Sequence, residues 1–244
     1  MRILDGQLVA FLGDSITQHL VAVNDWMETQ TDGLPPVGTS VCVERHVHRG
    51  WTVLLANRIR LSYPERRVRY INAGIGGHSS RQMLARFATD VLSPCPDWLL
   101  LSAGVVEVRR TYQPERAQDR VSLDEYVDNL TTMATKALKS NIQVVLLEPT
   151  PHVRPMTDGP PGVTLEEVNH LTRQYATAMM QVARNVGIGF VSLFEMFLDI
   201  ERRLAGEASL FADEVHLGSL GDLLYSQLVY QYLDREELQP RRWE

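Results

Sequence analysis

The stretch QLVAFLGDSIT, residues 7–17, joins a short apolar run to a polar turn at Gly13. An apolar run without polar alternation is typical of a strand that is buried on both faces of a parallel sheet. Asp14 and Ser15 follow directly, so we expect them just beyond the carboxyl end of that strand. Ligands bind at this edge of open parallel sheets. The stretch therefore predicts a buried first strand and a polar site at its end.

The same pattern of apolar runs recurs along the chain, at residues 68–73, 98–103, 142–148 and 188–193. Between the runs, the spacing of apolar residues predicts helices over residues 50–62, 80–92, 122–139, 164–186 and 218–233. Ser122 with Glu125, and Thr164 with Glu167, fit capping boxes at two of these helix starts. Alternating strands and helices indicate an α/β fold whose five-stranded parallel sheet is covered by helices on both faces. We expect a single domain over residues 1–244, with irregular, substrate-facing stretches at 24–48 and 149–163.

Length and composition are those of an ordinary globular protein. The 244 residues are 44% hydrophobic and 22% charged, and the formal net charge is −6. This balance argues against non-specific nucleic-acid binding, which needs clustered positive charge. No apolar stretch approaches the roughly 20 residues of a membrane-spanning helix. The two cysteines form no CxxC pair and the N-terminus lacks the pattern of a secretory signal, so we expect a cytoplasmic protein, either monomeric or a homo-oligomer.

A second polar motif, Asp213-Glu-Val-His216, precedes the last predicted helix. A serine nucleophile needs a general base, and the base needs a group that fixes its tautomer. Aspartate and histidine three residues apart in a tight turn can point to one side. Taken alone, each motif also fits a structural role, since serine and aspartate cap helices and a histidine can lie on the surface. Together they make Ser15, Asp213 and His216 a candidate catalytic triad.

A glycine-rich segment, Asn72-Ala-Gly-Ile-Gly-Gly77, follows the second predicted strand. Glycine lets a backbone N–H approach a developing oxyanion closely. The alternative is a nucleotide-binding GxGxxG loop, which would need glycine where Ser79 stands. A GK[ST] phosphate-binding motif is also missing from the sequence. The segment therefore favours an oxyanion site over a phosphate site.

The chain resembles the SGNH hydrolase (GDSL esterase/lipase) family in the order of its motifs. These are GDSIT, NAGIGG, a glycine after the third predicted strand, and DxxH. The segments LDEYVDNL, VVLLEPTP and VSLFEMF are similar to its acetylesterase-like members, so the resemblance runs along almost the whole chain. It implies a flavodoxin-like three-layer α/β/α sandwich. It also implies that Ser15 is the nucleophile, that His216 is the base and that Asp213 orients His216. The backbone N–H groups of Ser15 and Gly77 would bind the oxyanion.

The sequence departs from the family pattern at the block that supplies a third oxyanion donor. The family's GxND motif reads Gly104-Val-Val-Glu107 here, so Val106 replaces the asparagine and Glu107 replaces the aspartate. Valine has no side-chain donor, and losing one such donor typically lowers kcat by about 10²–10³. Another side chain could fill the gap, and the candidates by segment are His78, Ser79, Arg109 and His152. We expect four residues to lie around the substrate, namely Asp14, His78, Val106 and Glu107. Asp14 should also hold the turn at Ser15 in place.

The resemblance implies a serine esterase that hydrolyses a small acyl ester, by analogy an acetyl ester, of a carbohydrate or another small molecule. It implies no metal and no organic cofactor. Two alternatives stay open. One is acyl transfer on the same triad. The other is a ligand-binding protein in which the loss of the asparagine has disabled turnover.

Three further features have a functional and a structural interpretation. Glu44, His46 and His48 would share one face of a strand and could bind a metal, although a polar loop is favoured. Trp51 could stack on a sugar, although a core position is favoured. Finally, the consecutive Arg109 and Arg110 could bind an anionic substrate group, although an ion pair with Glu107 is favoured.

Overall fold

A computed structural model describes residues 1–18, 40–41 and 50–235. The candidate metal ligands Glu44, His46 and His48 lie outside the described residues. So does most of the stretch 24–48 that we expect to be irregular.

The described chain forms one sheet whose strands are β1 (Leu8–Gly13), β2 (Ser40–Val41), β3 (Arg69–Gly74), β4 (Trp98–Ser102), β5 (Gln143–Leu147) and β6 (Gly189–Val191). Their order across the sheet is β2-β3-β1-β4-β5-β6. All neighbours are parallel except the two-residue β2, which pairs antiparallel with β3 at the edge. The predicted five-stranded parallel sheet is confirmed, and its strands follow the flavodoxin-like order. The edge strand β2 was not predicted.

The sheet has a topological switch point at β1, where successive strands are added on opposite sides. Strand β3 lies on one side of β1, with Gly13 opposite Gly74, and β4 lies on the other side. A crevice opens at such a switch point, beyond the carboxyl ends of the strands. The segments that follow β1, β3 and β4 therefore meet at one place. These segments carry Ser15, Gly77 and Val106.

The helices of the described chain are α1 (Ser15–Gln18), α2 (Trp51–Ser62), α3 (Ser80–Ala85), α4 (Val105–Thr111), α5 (Leu123–Lys139), α6 (Leu165–Val186), α7 (Phe194–Leu204) and α8 (Ser219–Asp234). The capping box of Thr164 and Glu167 is present at the start of α6. At the start of α5, the Ser122 side chain accepts the N–H of Glu125 at 3.2 Å. The prediction of one helix over 80–92 is wrong, because α3 ends at Ala85 and a π-helical turn, Ala88–Leu92, follows it.

Two apolar cores lie on opposite faces of the sheet. Alternate residues of β1 enter different cores: Ala10 and Leu12 pack with α3, α5 and α6, whereas Val9 and Phe11 pack with α2, α7 and α8. This is the predicted three-layer α/β/α arrangement. Trp51 is fully buried in the second core, edge-on to Phe11 at 5.3 Å between ring centroids. A sugar-stacking role for Trp51 is therefore excluded by its burial.

None of the helices within the described residues has both the length and the apolar character needed to span a membrane.

Candidate active site

Ser15 lies in a tight turn between β1 and α1. A side chain at position 13 would collide with Thr17, so glycine is required there for the chain to turn so closely. The Asp14 carboxylate accepts the backbone N–H of Ile16 at 2.9 Å, and the Asp14 carbonyl accepts the N–H of Gln18 at 2.9 Å. These bonds fix the turn and place Ser15 at the first position of α1, at the carboxyl edge of the sheet.

Ser15, His216 and Asp213 form a continuous hydrogen-bonded chain. The distance from Ser15 Oγ to His216 Nε2 is 2.9 Å. On the other side of the ring, His216 Nδ1 lies 2.6 Å from Asp213 Oδ2. Asp213 Oδ1 accepts the backbone N–H groups of Val215 at 2.8 Å and of His216 at 2.7 Å. A serine, a base and an orienting carboxylate in this order are what nucleophilic acyl transfer requires.

The Asp213 carboxylate is held in its charged form. Burial acts to raise its pKa, but the hydrogen bonds from the His216 ring and from the backbone N–H groups of His216 and Val215 outweigh burial. Its pKa therefore lies well below the ordinary value. A charged carboxylate at Nδ1 leaves Nε2 free to accept the proton of Ser15 and stabilises the imidazolium that would form.

The turn from Asp213 to His216 is fastened to the segment that follows β5. Arg154 Nη1 donates to the Asp213 carbonyl at 2.7 Å, and the N–H of Val153 donates to the Glu214 carbonyl at 3.0 Å. Thr157 donates its N–H and its hydroxyl to Glu214 Oε1, at 3.1 and 2.8 Å. The predicted irregular stretch 149–163 thus supports the candidate base through four hydrogen bonds.

The glycine segment after β3 leaves one backbone N–H unused. The N–H of Gly76 donates to Gln18 Oε1 at 2.5 Å, and the N–H of His78 donates to the Ile75 carbonyl at 3.2 Å. Within the described chain, the N–H of Gly77 between them has no acceptor. Gly77 has a φ of +74°, which favours glycine.

Ser15 offers a second N–H at the same edge of the sheet. The N–H groups in the first turn of a helix have no acceptor within that helix. The Asp14 side chain satisfies the N–H of Ile16, one residue further along, and not that of Ser15. The N–H groups of Ser15 and Gly77 are thus the natural candidates for an oxyanion site.

The altered block Gly104–Glu107 begins α4. Val106 is buried, with 6% of its surface exposed, and Glu107 is 1% exposed. The Glu107 carboxylate accepts the backbone N–H groups of Ser80 at 2.5 Å and of Gly104 at 3.0 Å, and burial raises its pKa. Glu107 therefore holds α3 and α4 together at their first turns. The expectations that it faces substrate and that it pairs with Arg109 or Arg110 are both wrong.

Asp14 also lies beneath the site and not at its surface. It is 1% exposed, and its carboxylate is used by the turn. Burial raises the pKa of Asp14 to about 7, against the hydrogen bond from Ile16 and with a contribution from the charge of Glu107. The structure thus agrees with its expected role in the turn but not with substrate contact.

Asp14 gives the fold a pH-dependent stability. Its pKa of about 7 exceeds the ordinary 3.8, so between these values the folded chain binds more protons than the unfolded chain. Stability then falls as the pH rises through that window, by about 3 kcal/mol between about pH 5 and about pH 8. We expect Asp14→Asn, whose side-chain oxygen can still accept from Ile16, to lose less stability over this range than the wild type. Urea unfolding at both pH values measures the difference, and equal losses in the two proteins would contradict the prediction.

Two candidates for the missing oxyanion donor are placed where they cannot serve. Ser79 is 3% exposed and caps α3, with its hydroxyl on Gln82. His152 has no exposed surface, so a substrate cannot reach it. Burial and then the charge of Arg109 lower the pKa of His152 to about 4, so its ring is neutral at neutral pH.

The other two candidates differ in how they are engaged. Arg109 Nη2 lies 2.7 Å from Asp158 Oδ2, and Nη1 lies 3.8 Å from Glu214 Oε1. Arg109 thus braces the turn that carries Asp213 and His216, and its guanidinium is engaged by two carboxylates. His78 directly follows Gly77 and is half-buried, and burial followed by the charge of Arg86 lowers its pKa. His78 stays a candidate donor.

Within the described residues, histidine, cysteine, aspartate and glutamate side chains form no group of three or more that could hold a metal ion.

Comparison with known proteins gives three consistent results. The family model of the GDSL-like lipase/acylhydrolase family matches residues 11–223. An acetylxylan esterase from Geobacillus stearothermophilus is 25% identical over 242 residues, which cover 99% of this chain and 100% of that protein. An isoamyl acetate-hydrolyzing esterase 1 homolog from Rattus norvegicus is 25% identical over 77% of this chain and 75% of its own length.

The fold is shared with a solved structure over nearly its whole length. The crystal structure of an acetylxylan esterase from Geobacillus stearothermophilus superposes with a TM-score of 0.78, at 24% identity, over 99% of this chain and 100% of that one. Solved variants of that enzyme in which a serine, an aspartate or a histidine is replaced by alanine are described as catalytic mutants.

Proposed function

The chain belongs to the GDSL-like lipase/acylhydrolase family and is a carboxylic ester hydrolase, and on this basis we propose that it removes acetyl groups from a small alcohol through an acyl-Ser15 intermediate. The observation that carries the proposal is the hydrogen-bonded chain from Ser15 through His216 to Asp213, with 2.9 Å between Ser15 Oγ and His216 Nε2. The acetyl group is favoured because two relatives are named for acetyl esters. The residue types described as catalytic in the acetylxylan esterase are those of the proposed triad.

The first half of the reaction forms the intermediate. Ser15 Oγ attacks the ester carbonyl carbon while His216 Nε2 takes its proton, and the Asp213 carboxylate stabilises the imidazolium. The carbonyl oxygen becomes an oxyanion that accepts the N–H groups of Ser15 and Gly77. The tetrahedral carbon then expels the alcohol, which takes the proton from His216, and acetyl-Ser15 remains.

The second half returns the enzyme to its starting state. Water donates a proton to His216 Nε2 and attacks the acetyl carbonyl carbon. The tetrahedral carbon expels Ser15 Oγ, which recovers the proton from His216, and acetate leaves. No step needs a metal or an organic cofactor.

The ligand-binding alternative predicts a buried serine or a histidine that is turned away from it. Ser15 is 9% exposed, and its bond to His216 argues against the turned histidine. The acyl-transfer alternative shares every step up to acetyl-Ser15 and differs only in whether an alcohol or water attacks. Adding a sugar alcohol during turnover separates the two, because transfer gives an acetylated sugar in place of acetate.

The proposal is tested with p-nitrophenyl esters of increasing acyl length. We expect the acetate ester to have the highest kcat/KM, because a site for a small acyl group excludes a longer chain. The kcat/KM of the octanoate ester should be lower by about tenfold or more. A fluorophosphonate probe should label Ser15, as located by peptide mass spectrometry. Labelling at another residue, or equal rates for all chain lengths, would overturn the proposed nucleophile or the acetyl preference respectively.

A further inference from the structure

Arg110 occupies an unusual position beside the candidate oxyanion site. It follows Val106 by four residues in α4, so the two side chains project from the same face of the helix. Its Nη2 donates to the Gly77 carbonyl at 3.5 Å. The guanidinium is half-buried and covers the segment whose N–H we assign to the oxyanion. A group bound to Arg110 would therefore lie next to the ester.

Within the part of the chain that the structure describes, no direct ion pair neutralises the charge of Arg110. Its neighbours are paired, Arg109 with Asp158 and Arg116 with Asp119. Among the described residues, no carboxylate lies within ion-pair distance of Arg110, although Asp119 and Asp158 act on it from further away. Burial, followed by the charges of Arg116 and Arg109, lowers its pKa. A half-buried cation that has no carboxylate at ion-pair distance carries a desolvation penalty, which a bound anion would relieve.

The guanidinium also has donors to spare. Arginine has five N–H groups in a planar fork. The Gln113 side chain accepts one of them and the Gly77 carbonyl another. Three N–H groups remain, which is enough for a bidentate pair of hydrogen bonds between arginine and a carboxylate.

We propose that Arg110 binds a carboxylate of the substrate, so that the enzyme favours esters that carry a negative charge close to the bond that is cleaved. The inference rests on the proposed esterase function and specifies its substrate class. The carboxylate could belong to the acyl part or to the alcohol part of the ester, and substrates matched in size distinguish the two.

Two substrate pairs test the proposal. The acyl side is tested with p-nitrophenyl hydrogen glutarate against p-nitrophenyl valerate, and the alcohol side with p-acetoxybenzoate against p-acetoxybenzamide. For at least one pair we expect the wild type to favour the anionic ester, and we expect Arg110→Gln to reduce that preference by about 10- to 100-fold, chiefly through KM. This is the range for a hydrogen bond to a charged group. Arg110→Lys should retain part of the preference, since it keeps the charge without the fork.

A matched control separates this effect from a general loss of local charge. Arg116 is 42% exposed at its side chain and pairs with Asp119 at 2.5 Å, so Arg116→Gln removes a nearby charge without touching the site. We expect Arg116→Gln to keep the wild-type preference in both pairs. Equal losses on anionic and neutral esters in Arg110→Gln, or no preference in the wild type, would overturn the inference.

Binding measurements keep this test independent of turnover. With Ser15→Ala protein, calorimetry should detect tighter binding of one anionic ester than of its neutral partner, and adding Arg110→Gln should remove the difference. If wild-type turnover does not depend on Ser15 but this difference persists, the esterase proposal fails while the anion site stands. If turnover depends on Ser15 and binding shows no difference, only the anion site fails.

Discussion

Replacing Ser15 with alanine should lower kcat for p-nitrophenyl acetate by at least about 10⁴-fold. Alanine removes the atom that we propose as the nucleophile, while the buried turn around it, held by the hydrogen bonds of Asp14, stays in place. The N–H groups of Ser15 and Gly77 belong to the backbone and are unaffected, so binding of the ester should persist and KM should change little. Steady-state kinetics of the purified variant measure both constants.

A second serine gives the matched control. Ser140 is exposed at the end of α5, at the edge of the sheet opposite the site, so Ser140→Ala should keep wild-type activity. Circular dichroism and thermal unfolding establish that both variants are folded. If Ser15→Ala retained more than about a hundredth of the wild-type kcat, the measured hydrolysis would come from another nucleophile.

The sheet was predictable because its central strands β1, β4 and β5 are buried almost throughout and therefore appear as apolar runs. The limits of α3 were not predictable from apolar spacing. Arg86 follows α3 and donates to the Ala73 carbonyl at 2.7 Å and to the Gly13 carbonyl at 3.1 Å, at the ends of β3 and β1. This tertiary interaction coincides with the break between α3 and the π-helical turn. Helical periodicity within a single segment does not encode it.

The candidate triad could be proposed from sequence because its motifs lie at the ends of predicted elements, where topology brings them together. The residues that brace it could not. Arg154 and Thr157 contact the turn at Asp213 only because the loop after β5 folds over it, and the sequence separation of about sixty residues carries no periodic signal. The role of Gln18 could have been predicted from the sequence, because it follows Ser15 by three residues in the same short helix. Its side chain therefore points toward the end of the neighbouring strand.

Glu107 shows that a motif comparison can misplace a residue when the residue type in the motif has changed. The family pattern suggested a polar residue in the site, whereas the longer glutamate side chain is buried and bonds two backbone N–H groups. That arrangement preserves the junction of α3 and α4 without an asparagine at position 106. We therefore expect the departure from GxND to affect the proposed oxyanion site and not the local fold.

Restoring the asparagine should therefore raise activity. We expect Val106→Asn to increase kcat for p-nitrophenyl acetate by about 10- to 100-fold with little change in KM, because a third donor would act on the oxyanion and not on the ground-state ester. The gain should fall short of the full 10²–10³ for one donor. The Glu107 carboxylate is already bonded to Ser80 and Gly104 and is not free to orient the new amide.

The same substitution should reduce stability. Val106 is 6% exposed, so an amide without a partner in the resting enzyme would be desolvated, at about 1–2 kcal/mol in urea unfolding. Val106→Ala separates the two effects, because it creates space without a donor and should leave kcat unchanged or lower. If Val106→Asn lowered kcat while Val106→Ala raised it, the valine would be making room for the substrate. An increase confined to Val106→Asn would show instead that the oxyanion site works with two backbone donors and lacks a third.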